Sequence, residues 1–210
     1  MQSPVAKNYQ GALDSYRRRL IVDAARLVFE RVGLEGASIR TIAQAAGCTT
    51  GAIYPHFRGK EEIYAAVLSE SLSAVVRDAD HAMGGASTPA RAIRRGTLAI
   101  YKYYDARPAE LSLALHLFNG GRPNKLGQGL DEALKHQLDG LLALFAEQVR
   151  SATRKPFLPM TGIEATALFT YLVGLLVLRH SGRIDVLGNK ASILLAHYTK
   201  NMIARLSGRA

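Results

Sequence analysis

IRTIAQAAGCTTGAIYPHF, residues 39–57, has the internal spacing of two short helices joined by a tight turn. Ala43 is small where the second helix must cross the first, and four residues later Gly47 fills the turn, where a positive φ is needed. Ile53, six residues further on, is the apolar anchor of the second helix, and Ile42, Ala46 and Cys48 supply the other inward contacts. Ser38 is placed to cap the first helix, and Thr49 or Thr50 the second, which is predicted to run to about Phe57. Two helices held this way cross steeply, so the second can enter a major groove. Its outward residues are Thr49, Thr50, Gly51, Tyr54, Pro55 and His56, small or hydrogen-bonding groups suited to base edges and phosphates. Lys60 opens the next helix, where its ammonium and the free N–H groups can both meet a phosphate. Residues 38–60 contain Arg40, Arg58 and Lys60 and no acid.

Outward from this segment the chain reads as all-α, with about nine helices and no strand-like alternation. A polar, mobile segment is expected over residues 1–14. A helix starts at Ser15, carries Leu20, Ala24, Leu27 and Val28 on one face, and stops at Gly33 and Gly36. Beyond the motif, helices are predicted near 60–81, 89–105, 108–119, 128–150, 162–180 and 189–206. Gly84-Gly85 marks a loop, and Pro89 takes a permitted first-turn position. These elements divide into a helix-turn-helix domain over residues 15–62 and a larger helical domain over 63–210.

The 210 residues carry a formal charge of +10 and a pI near 9.9, which call for an anionic partner without saying which. The surplus does not sit in the motif: residues 1–80 hold 10 Lys/Arg against 9 Asp/Glu, and residues 81–210 hold 17 against 8. One cysteine, Cys48, rules out a disulfide framework within the chain and fits a reducing cytoplasm. It is expected to be a buried turn residue. The most apolar run, Ala165–Leu178, is shorter than a spanning helix needs, so a soluble cytoplasmic protein with no membrane partner is expected. No nucleotide-binding, hydrolase or metalloprotease motif is present, and the six histidines lack ligand spacing. The expectation is therefore no enzyme, no catalytic residue, no metal and no cofactor.

Residues 17–68 resemble the N-terminal domain of the TetR/AcrR family of transcription regulators. The likeness rests on the Ala-Ala and Phe29 of the first helix, Gly33 and Gly36, Ile42-Ala43, Ala46-Gly47, the block Gly51-x-x-Tyr54-x-His56-Phe57, and Lys60-Glu61-Glu62. It implies phosphate contacts from Tyr54, His56 and Lys60, and one near the first short helix from Ser38 or Arg40. Base reading falls to Thr49, Thr50, Gly51 and Pro55. Cys48 stands where a valine is common and Gly59 where a serine cap is common. Pro55 cannot donate to the Gly51 carbonyl, so the end of the second helix is loosened.

The likeness fades after about residue 80. It implies that the domain over residues 15–62 binds DNA and that the one over 63–210 is a divergent ligand-binding and dimerisation domain, which dimerises through its last two helices and holds a small-molecule inducer. Tyr101 and Tyr104 share a face with Leu98 and are pocket candidates, together with His116, Phe118 and Phe145. A hydrogen-bonded core role is the alternative for His116, and core or rim positions for the tyrosines. His180 and His197 fall on the expected dimer helices. The expected function is a repressor that binds double-stranded operator DNA, palindromic because the protein is two-fold, and leaves it when an inducer binds. The alternative is a DNA-organising or partner-recruiting protein on the same fold without an inducer.

Overall fold

Helix α1 (Pro4–Gly36) starts well before Ser15, so the segment expected to lack structure is helical from its fourth residue. Lys7, Gln10, Ala12 and Leu13 are good helix formers, and propensity extends a helix that packing has already nucleated. This computed structural model describes residues 4–116, 128–153 and 158–208. Among them all regular structure is helical. After α1 come α2 (Ile39–Ala45), a 3₁₀ turn (Thr50–Ala52), α3 (Lys60–Gly84), α4 (Pro89–Asp105), α5 (Pro108–His116), α6 (Gln128–Ala152), α7 (Leu158–His180), α8 (Arg183–Val186) and α9 (Ala191–Leu206). Helix α8 was not anticipated. The predicted end of α5 at residues 119–121 lies outside the described residues.

The chain divides into two compact units, and the expected boundary at residue 62 falls inside α3. The first unit holds α1, α2, the 3₁₀ turn, α3 as far as Ser71, and α5. Its core is Ile21, Val22, Ala25, Val28 and Phe29 of α1 against Ile42, Ile53, Phe57, Ile63, Tyr64 and Leu68. Gly33 breaks α1 with a φ of 71° before its last turn. Tyr64 sits edge-on to Phe29 and donates from its hydroxyl to the Leu113 carbonyl at 2.6 Å, which ties α5 to α3. Burial pushes the Tyr64 phenol far above its ordinary pKa. A second tie is polar. The buried Glu110 of α5 accepts from Ser71 Oγ at 2.6 Å and lies 3.9 Å from Arg26, which also pairs with Glu70 at 2.8 Å.

In the second unit α4 is strongly two-faced. Ala92, Ile93, Gly96, Ile100, Tyr101 and Tyr104 turn inward, while Arg91, Arg94, Arg95 and Lys102 are exposed. Thr88 caps it by accepting from Arg91 N, with Pro89 at the first turn as predicted. A Cβ at Gly96 would lie 2.1 Å from the Met83 Cε, so this contact exists only because Gly96 has no side chain. Helices α7 and α9 are joined by Arg205 on Glu164 and by the stacked rings of Tyr171 and Tyr198, 3.9 Å apart. Met160–His180 of α7, 21 residues, holds an 18-residue window with a mean hydropathy of 1.7, long and apolar enough to cross a membrane by length and composition alone. The run is longer than Ala165–Leu178 because the helix carries apolar Met160 and Ile163 ahead of it.

Candidate nucleic-acid interface

Ser38 begins the interface as a cap. Its hydroxyl accepts from Thr41 N at 3.2 Å while its own N–H donates to Thr41 Oγ1 at 3.0 Å, a capping box that starts α2 sharply. Arg40, two residues on, is exposed. Helix α2 ends in a Schellman motif. Gly47 N donates to Gln44 O and Cys48 N to Ala43 O, with Gly47 at a φ of 67°. That is the positive φ the sequence required. Cys48 itself is half-buried and free, rather than fully buried.

No atom lies within 4 Å of a Cβ built at Gly47, so the demand for glycine there is purely a backbone one. Gly47→Ala is therefore expected to cost about 1–2 kcal/mol. Urea unfolding should show this as a lower midpoint at unchanged slope.

The second element differs from the expected helix. Thr49 occupies the cap position without a side-chain cap bond, and Thr50–Ala52 form a single 3₁₀ turn. Ala52 and Ile53 donate to Thr49 O and Thr50 O, three residues back, and turns continue to His56. Pro55 explains the form: it has no N–H for the Gly51 carbonyl, and it disfavours α geometry at Tyr54 before it. Phe57 N reaches Ile53 O at 3.0 Å and closes the segment.

Two fully buried anchors, Ile53 and Phe57, hold this turn to the core. Between and before them Thr49, Thr50, Gly51, Tyr54 and Pro55 are exposed, Tyr54 by 58%, and His56 is half-buried. Tyr54 therefore does not pack into the domain, although its neighbour Ile53 does.

Lys60 is placed differently from the rest. Its Nζ donates to Leu34 O at 2.9 Å and Ala37 O at 3.2 Å, tying the start of α3 to the carbonyls at the end of α1. Glu62, two residues later, reaches back to accept from Arg58 N at 2.7 Å. Arg18, which the motif did not single out, lays its guanidinium over the Phe57 ring at 4.7 Å. The clue was positional: Arg18 stands three residues before Ile21 and shares its helical face.

The candidate ligand residues fall on both units. Tyr101, Tyr104 and Phe145 are buried in the second. Tyr101 lies beside Asp105 and Arg179, and burial first, then the Asp105 charge, raises its phenol pKa. His180 Nε2 meets the Tyr104 carbonyl at 3.0 Å. His197 is exposed beside Asn201. His116 belongs to the first unit, edge-on to Tyr64 and 3.6 Å from Glu35. Phe118 lies outside the described residues. An open groove of about 360 Å³ lies in the second unit among Asp80, Met83, Thr88, Leu144 and Gln148, and none of these candidates lines it. No group of three or more His, Cys, Asp or Glu fit to hold a metal occurs among the described residues.

The sequence model of the bacterial regulatory proteins of the tetR family matches residues 21–67. A transcriptional repressor of Mycobacterium tuberculosis is 43% identical over 54 residues, 26% of this chain and 29% of the relative. A nicotine-responsive transcriptional repressor of Paenarthrobacter nicotinovorans is 35% identical over 85 residues, 40% of this chain and 43% of the relative. The chain thus spans less than half the length of these curated relatives. A TetR-family regulator from Thermus thermophilus superposes with a TM-score of 0.66 at 20% identity, covering 87% of this chain and 96% of that one. At that identity the likeness is one of fold.

Proposed function

We propose that this chain, which belongs to the TetR family by its N-terminal domain, is a sequence-specific DNA-binding transcription regulator, a repressor released from its operator by a small molecule. One observation carries the reading. An exposed row, Thr49-Thr50-Gly51 with Tyr54 and Pro55, is held on the two buried anchors Ile53 and Phe57, in a stretch from Ser38 to Lys60 without a single acid. Such a row offers hydroxyls and bare backbone to base edges while nothing repels the phosphates.

The roles divide by chemistry. Thr49, Thr50, Gly51 and Pro55 face the bases. Tyr54, His56, Arg40 and the Ser38 hydroxyl face phosphates. Lys60 keeps one ammonium N–H beyond the two it gives to Leu34 and Ala37, and that one serves the phosphate. Tyr54→Phe is then expected to weaken binding to every duplex alike, whereas Thr50→Ala changes preference at one or two base positions. Equilibrium binding to a panel of single-base operator variants separates the two.

One such turn reads few base pairs, so the reading includes a homodimer through α7 and α9 on a palindromic site. Exposed Met160, Ile163, Val177 and Ile193 on those helices support it. Residues 15–62 would form the DNA-binding domain and 63–210 the ligand-binding and dimerisation domain of a cytoplasmic protein. The inducer would act near Tyr101, Tyr104 and Phe145, with His116 and Phe118 as further contacts. It can shift the DNA-bound population only by its difference in affinity between the two states.

Selection of bound sequences from a random duplex pool, followed by salt titration of the winner, tests the core of this reading. A palindromic consensus with strongly salt-dependent affinity is expected. A folded dimer that enriches no sequence would overturn it.

A further inference from the structure

We infer that the N-terminal half of α1 is a second DNA-binding element, which follows the phosphate backbone beside the segment read by the 3₁₀ turn. This rests on the proposed DNA binding and extends it outside the motif. From Tyr9 onward, the first fully buried side chain of α1 is that of Ile21. From Tyr9 to Leu20 only Leu13 and Asp14 are even half-buried, and the helix carries Arg17, Arg18 and Arg19, all exposed, with Asp14 the one acid. A helix that fully buries no side chain over three turns gains little from the core and is free to serve a partner.

Two observations choose DNA as that partner. The first is continuity. Arg18 stacks on Phe57, the residue that closes the segment carrying Tyr54, Pro55 and His56, so this part of α1 starts at the edge of the proposed interface. The second is charge. Residues 9–20 hold three cations and one anion, and that anion is bonded by Gln10 at 3.4 Å. Arginine on consecutive helical positions spreads over more than half the circumference, which suits a phosphate row better than a single base. Tyr9 and Tyr16, both largely exposed, add hydroxyl donors for phosphate oxygens.

The test uses the full-length chain and the duplex recovered by the selection described above. Arg17→Gln/Arg19→Gln alters two residues that touch neither the core nor Phe57, so the fold is kept; Arg18→Gln serves as a separate variant. The double variant is expected to lower the slope of log Kd against log salt by about one for each arginine that meets a phosphate. Its base consensus should stay the same, and hydroxyl-radical protection should shrink at the flanks of the site. An unchanged slope and footprint would overturn the inference while leaving the parent reading intact. An unchanged slope with a changed oligomeric state would overturn it in favour of a protein partner for the Tyr9, Tyr16 and Leu20 face. Absence of operator binding by the unaltered chain would overturn both, and is seen before any variant is made.

Discussion

Ile53→Ala is expected to cost about 2–5 kcal/mol of stability and, in the fraction that stays folded, most of the operator affinity. Ile53 has no exposed surface, and its side chain is the anchor between the outward residues Thr50 and Tyr54. Truncation removes buried apolar atoms and leaves a cavity that the neighbouring helices only partly close. The segment it holds has little of its own to keep it in place. One 3₁₀ turn, capped without a side-chain bond and interrupted by Pro55, lacks the hydrogen-bond ladder of an α-helix. Urea unfolding measures the first effect and equilibrium DNA binding the second. If Ile53→Ala lowers stability yet binds the operator as tightly as the unaltered chain, the turn is not positioned by this anchor.

Glu110→Ala is expected to cost about 1.5–3 kcal/mol, the range for a hydrogen bond to a charged group. The loss has two sources. Ser71 Oγ loses its 2.6 Å acceptor in a buried site, and Arg26 loses the nearer-to-core of its two carboxylates. The figure stays below that for a fully orphaned buried charge because Arg26 keeps Glu70 at 2.8 Å. Glu110→Gln should recover part of the loss, since an amide oxygen still accepts from Ser71. A full recovery by Gln would show that the hydrogen bond, and not the charge beside Arg26, holds α5 in the first unit.

The helix-turn-helix segment was legible in the sequence because the constraints there are local. Gly47 needs its φ of 67° for a turn completed within six residues, from Ala43 to Cys48, and the spacing from Ala43 to Ile53 shows it. Thr88-Pro89 likewise announced α4, and the three-to-four-residue rhythm of Leu and Ile announced the long helices. Pro55 gave fair warning of a loosened second helix, though not that only one 3₁₀ turn would survive.

Tertiary structure decided the rest, because it depends on partners distant in sequence. Lys60 lies where a phosphate contact is expected, yet its ammonium spends two bonds on carbonyls 26 and 23 residues away. Glu110 reads as an ordinary first-turn acid, and only the packing of α5 against α1 and α3 makes it a buried acceptor. Tyr101, His116 and Phe145 share an aromatic character that suggests one pocket, but sequence holds no measure of the distance that sets His116 in a different unit. Turn chemistry and helix period are properties of a few adjacent residues and were legible. The partners of a long charged or aromatic side chain are settled only when the helices pack.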